Sequence, residues 1–175
     1  IPNLSLAKKA FIEPYVGLAK QEIHIEDQAV VADSYSIGAK LGFFLNNKLY
    51  IGGDYFQAGP FAFGGLLDDQ EMALSAFGAG IGLDYKIVRF WIGYYFDSSF
   101  TISPDNSTLS GTGIKGGFRL VAGNKFRASL EIMQNDPTEY TSAGNGSTTS
   151  FSIPDDLDYK YITTFVTLSV PIDIK

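Results

Sequence analysis

The segment 34–56 reads SYSIGAKLGFFLNNKLYIGGDYF. Strand side chains alternate between two faces, so its positions separate into two sets around a short turn at Asn46-Asn47-Lys48. One face holds Tyr35, Ile37, Ala39, Leu41, Phe43, Leu45, Leu49, Ile51, Gly53 and Tyr55, with no charge and aromatics at its edges. The other holds Ser34, Ser36, Gly38, Lys40, Gly42, Phe44, Tyr50, Gly52, Asp54 and Phe56, which is small, polar and charged. Such a hairpin needs an apolar environment on one side only. That environment is either a protein core or lipid.

The alternation recurs along the chain. Strands are expected over about 11–21, 34–45, 49–56, 73–85, 88–100, 109–122, 125–135 and 159–171. The even number of strands and the strict alternation of long and short connections suit an up-and-down barrel. Short turns fall at Asn46–Lys48, Lys86-Ile87 and Gly123-Asn124. Polar connections span about 22–33, 57–72, 97–108 and 136–158. Within the second, Pro60 to Leu67 reads as apolar extension of the flanking strands. The fold class is therefore all-β: an eight-stranded antiparallel up-and-down transmembrane β-barrel over 11–171, with a leader segment at 1–10 and a tail at 172–175. A soluble eight-stranded barrel or sandwich is the alternative.

Charge placement separates the two. The apolar faces carry no Asp, Glu, Lys or Arg across their central spans. The opposite faces carry Glu13, Asp54, Asp84, Asp97 and Glu131 against Lys40, Arg89, Lys115, Arg119 and Arg127. In a soluble barrel this balance would be incidental. In a closed lumen it is required, because an unpaired buried charge is costly. Register agrees. A three-residue loop at Asn46–Lys48 sets Lys40 opposite Asp54, and the Lys86-Ile87 turn sets Asp84 opposite Arg89. The same turn sets Gly82 opposite Trp91 and Gly78 opposite Tyr95, a small-against-large filling suited to a narrow barrel. Across the Gly123-Asn124 turn, Glu131 falls opposite or diagonal to Lys115 and Arg119. The ten charged residues are thus expected to form an interior ion-pair network.

Composition narrows the function classes. A formal charge of −6 gives no basic face for nucleic acid. The absence of cysteine excludes disulfides, thiol catalysis and Cys-ligated metal. No run approaches the roughly 18–20 apolar residues of a membrane-spanning helix. The chain opens Ile1-Pro2-Asn3-Leu4 without a signal-peptide pattern, as a mature or trimmed chain would.

Glu13-Pro14-Tyr15-Val16-Gly17-Leu18-Ala19, Ile37-Gly38-Ala39-Lys40-Leu41-Gly42 and Gly78-Ala79-Gly80-Ile81-Gly82 resemble strands of the small OmpA/OmpX-like outer-membrane barrels of Gram-negative bacteria. The resemblance implies periplasmic termini, surface loops and a polar core crossed by ion pairs. It also implies lipid and lipopolysaccharide as surroundings. Such barrels usually end on an aromatic residue, whereas this chain ends Val170-Pro171-Ile172-Asp173-Ile174-Lys175 and Phe165 is its last aromatic. Either a further domain follows or the insertion signal is atypical.

The expected role is structural or interactive, through the surface loops of a monomer, with no cofactor, metal or catalytic group. A narrow channel or small hydrophobic-ligand carrier is the first alternative. The second is a lipid A-modifying enzyme using His24, the only histidine, with Ser34, Ser98 or Ser99 near the same rim. The loop acids Asp68-Asp69-Gln70-Glu71 and Asp155-Asp156-Leu157-Asp158 lack the spacing of a calcium loop and read as solvated.

Overall fold

A computed structural model describes residues 10–25, 28–45, 48–63, 70–85, 87–122, 126–144, 147–154 and 159–174. Residues 1–9 of the expected leader, the turn residues Asn46, Asn47, Lys86, Gly123 and Asn124, and the acids Asp68, Asp69, Asp155, Asp156 and Asp158 lie outside the described residues, and Ala10 already belongs to the first strand.

The strands are β1 (Ala10–Ile25), β2 (Gln28–Phe44), β3 (Leu49–Phe63), β4 (Gln70–Tyr85), β5 (Val88–Ser103), β6 (Ser107–Ala122), β7 (Phe126–Gly144), β8 (Ser147–Ser152), β9 (Tyr159–Ser169) and β10 (Ile172–Ile174). Each of β1 to β7 pairs antiparallel with the next, and β9 closes the barrel by pairing with both β7 and β1. The result is a closed barrel of eight staves, with β8, β9 and β10 sharing the eighth. That stave continues past Pro171, where the sequence pattern ends the barrel. Ile172 pairs with Ile12 in the register that already sets Tyr15 against Ser169. The ladder is interrupted there because Pro14 and Pro171 have no N–H to donate. One bond survives, from Val170 N to Pro14 O at 3.2 Å.

The strands also run further at the other end than alternation alone suggests. Residues expected in the polar connection 22–33 pair across β1 and β2, Glu22 with Val31 and His24 with Ala29. Phe61 and Phe63 extend β3 and turn into the core. The Ser/Thr-rich stretch after Asp136 is mostly strand, with Glu139–Gly144 paired to β8. The alternating long connections are therefore largely continued sheet. Polar composition hid this, because a ladder beyond the lipid zone can expose both faces to water.

The outer wall is apolar. Leu18, Tyr35, Ile37, Leu41, Ile81, Ile92, Ile132 and Leu168 are all exposed. Between the row Lys20, Asp33, Asp97 and Asp136 and the turn-side end, the described outward positions carry no charge. Tyr55, Phe77, Tyr94 and Phe96 flank this belt on one side, and Phe43, Tyr85, Phe90 and Phe126 on the other. Aromatic girdles of this kind mark the two interfaces of a membrane barrel.

Candidate functional site: the interior charge cluster

Alternation turns one side chain in two toward the lumen, and there the charged residues meet. Glu13, Lys40, Asp54, Arg89, Lys115, Arg119 and Glu131 are buried. Each hairpin register stands as expected: Lys40 faces Asp54, Asp84 faces Arg89, Gly82 faces Trp91 and Gly78 faces Tyr95. Glu131 faces Gly117 and so lies diagonal to Lys115 and Arg119.

At the centre, two lysines and two carboxylates form a quartet. Lys40 Nζ lies 2.7 Å from Glu131 Oε1 and 3.7 Å from Asp54 Oδ2. Lys115 Nζ lies 3.0 Å from Asp54 Oδ2 and 3.2 Å from Glu131 Oε2. Neutral donors complete the carboxylates. Tyr15 donates to Asp54 Oδ1 at 2.9 Å, Tyr95 donates to Asp54 Oδ2, and Trp91 Nε1 donates to Glu131 Oε1 at 3.1 Å. Aromatic faces enclose the ammoniums: Lys40 Nζ is 3.6 Å from a Trp91 ring centroid and Lys115 Nζ is 4.1 Å from that of Phe56. These arrangements suit charges held away from water, which need both a counter-ion and hydrogen bonds.

Toward the turn side, Arg119 Nη1 meets Glu13 Oε2 at 2.6 Å. Ser169 donates to the other Glu13 oxygen, and Arg89 pairs with Asp84 through Nε and Nη2. Arg127 is partly exposed at the mouth and lies 3.7 Å from Glu13 Oε2. Phe11, Phe44 and Tyr50 pack together at this end, with centroids 5.5–6.0 Å apart. Beyond the quartet, Phe56 packs on Tyr95 and Phe165 at 5.7 and 5.0 Å.

Asp97 is not in the cluster. Tyr95 pairs with Gly78 and Gly113, but Asp97 pairs with Phe77 and Ser98 with Gly111. Phe96 and Asp97 together span one position of the neighbouring strand, a β-bulge that reverses the inward parity of β5. Ser98 and Phe100 therefore point inward, and Asp97 is exposed on the outer wall beside the aromatic girdle. The expected balance of five acids and five bases becomes four acids and five bases.

Alternation put Tyr15, Trp91 and Tyr95 on the inner face but offered no sign that they hydrogen-bond the carboxylates. Those contacts cross the lumen, and no local spacing encodes them.

His24 lies on the outer wall, partly exposed, with Nε2 3.7 Å from Glu22 Oε2. Ser34 pairs with buried Ala19 on the inner face, and Ser98 donates to Asn135 Oδ1 inside the barrel at 2.7 Å. Ser99 stands on β5, on another side of the barrel. None of the three serines shares a face and neighbourhood with His24.

The closed sheet, apolar belt and charged interior define a class: the eight-stranded antiparallel transmembrane β-barrel, with the fold of the small OmpA/OmpX-like outer-membrane proteins. Solved structures of that class superpose on the chain over nearly its whole length. Ail, the attachment invasion locus protein of Yersinia pestis, solved with the heparin analogue sucrose octasulfate, matches at a TM-score of 0.62 and 10% identity, covering 94% of this chain and 99% of that one. Neisserial surface protein A matches at 0.54 and 13% identity, covering 92% and 96%. OprG of Pseudomonas aeruginosa matches at 0.53 and 8% identity, covering 95% and 98%. No protein-family model matches the chain, and no curated protein matches it by sequence.

Proposed function

We propose that the chain is an integral outer-membrane protein of a Gram-negative bacterium, monomeric and non-enzymatic. Its lumen is closed by the ion pairs around Glu13, Lys40, Asp54, Lys115, Arg119 and Glu131. Its outward sheet extensions carry a structural or surface-interaction role. The carrying observation is the inverted distribution of charge: an uncharged, aromatic-girdled wall around a paired ionic interior. Lipid and lipopolysaccharide meet the wall, the short turns and both termini face the periplasm, and the extended ends face outward.

Filling supports a closed lumen over a channel or carrier. Phe56, Tyr95 and Phe165 pack together in the interior, and the cavity beside Lys40, Asp54 and Trp91 measures about 10 Å³, room for about one water at most. The surface role draws support from β8, which among the described residues pairs with β7 alone and leaves an edge free beyond the barrel. His24 on the outer wall is near none of Ser34, Ser98 and Ser99, which weighs against lipid-modifying chemistry.

Reconstitution in planar bilayers tests the closed lumen. The wild-type protein is expected to show no unitary conductance, and steady single-channel openings would overturn the reading. Overexpression of wild-type and His24→Ala proteins is expected to leave lipid A identical in both. A change seen only with the wild type would assign an enzyme.

A further inference from the structure

The central quartet balances itself, with two ammoniums against two carboxylates. The turn-side group does not. Arg89, Arg119 and Arg127 all approach one atom, Glu13 Oε2, at 3.8, 2.6 and 3.7 Å. Asp84, bound to Arg89, is the second acid of the group. With Asp97 outside, three guanidiniums stand against two carboxylates. Asp173 at the same mouth is exposed and forms no ion pair with these arginines among the described residues.

The hydrogen-bond accounting shows the same deficit. Arg89 Nη1, Arg119 Nε and the Tyr50 hydroxyl are buried without a hydrogen-bond partner. The Arg89 guanidinium carbon lies 4.6 Å from the Tyr50 ring centroid, so these groups are neighbours. Idle buried donors beside an excess of positive charge are a costly arrangement in a low-dielectric interior. Solvent reaches the edge of the group, where the side chains of Arg127 and Asp84 are 18% and 28% exposed.

We infer that the turn-side end of the lumen binds one tetrahedral oxyanion of the phosphate class, held by Arg89 and Arg127 with Tyr50 as a neutral donor. Guanidinium forks match such oxygens in pairs, and one added anionic charge removes the excess. The same phosphate chemistry is available from a free ion or from a lipid headgroup at the barrel mouth.

The test follows the temperature at which the compact gel band is lost. The protein is held in non-ionic detergent while inorganic phosphate replaces chloride at constant ionic strength. In the wild type that temperature should rise saturably, by about 2–4 °C. Tyr50→Phe should shrink the gain, and Arg127→Gln should abolish it. Asp84→Asn, which enlarges the positive excess, should reach half-saturation at several-fold lower phosphate. Should Arg127→Gln not yield a compact band, Arg127→Lys keeps the charge without the fork and should weaken the gain. A parallel arm uses phosphate-free micelles doped with phosphatidylglycerol. A gain confined to that arm and lost in the Arg127 variant assigns the site to a lipid phosphate. No gain in either arm, or a gain untouched by the Arg127 substitutions, would overturn the site.

Discussion

Lys40 makes its short contact, 2.7 Å, with Glu131 on β7, across the lumen, and only a 3.7 Å contact with Asp54, directly opposite on β3. The two partners are 91 residues apart in the chain. Neighbouring strands supply the register, but the width of the closed barrel selects which charges touch. Glu131 thereby serves Lys40, Lys115 and Arg119 together.

That sharing predicts unequal losses. Glu131→Ala removes a carboxylate shared by three buried cations, leaving Asp54 alone to balance Lys40 and Lys115, and is expected to cost about 3–5 kcal/mol. Lys40→Met leaves Glu131 with Lys115 and is expected to cost about 1–3 kcal/mol. Urea unfolding in lipid vesicles measures both. Equal losses would mean that Lys40 alone is the partner of Glu131.

Gly82 sits between Tyr50 and Trp91, its neighbours on β3 and β5, and a Cβ there would overlap the Tyr50 ring. Gly82→Ala is expected to destabilise by about 1–3 kcal/mol through overpacking. Tyr50→Leu in the same chain should recover part of the loss. Gly53→Ala is the control, because its added carbon meets nothing closer than 3.5 Å and should change stability by less than about 0.5 kcal/mol. The same unfolding assay ranks all three.

The bulge in β5 gives a contrast between two outward positions. Ile92 lies within the apolar belt, and Ile92→Arg is expected to cost about 2–4 kcal/mol. Asp97 lies at the edge of the belt, so Asp97→Arg should cost about 1 kcal/mol or less. A large loss at residue 97 would return its side chain to the interior.

A belt of exposed Leu, Ile, Val and aromatic side chains should make the protein depend on amphiphile. Without detergent it is expected to aggregate. With detergent, unheated and boiled samples should migrate differently on a gel. A monodisperse, detergent-free monomer would contradict the membrane-facing wall.

Much of the architecture was legible from alternation. Tyr35 and Tyr55 fall on the outer face and Lys40 and Asp54 on the inner one because strand geometry assigns faces locally. Hairpin pairs such as Asp84 with Arg89 followed from turn length. Alternation puts Asp97 on the wrong face because a bulge adds one residue without any compositional mark. The polar flanks of β1, β2 and β7 read as loops because sheet beyond the belt need not alternate apolar with polar residues.

The hairpin at 34–56, taken alone, already separated a lipid-compatible face from a charged one. It also set Lys40 opposite Asp54, since both properties depend on neighbours a few residues away. Barrel closure decided the rest. It brought β2 against β7 across the lumen, gave Lys40 its nearer carboxylate in Glu131 and gathered three arginines on Glu13. With Asp97 outside, one positive charge is left in excess. Those outcomes depend on strand stagger and lumen width, which only the closed sheet defines.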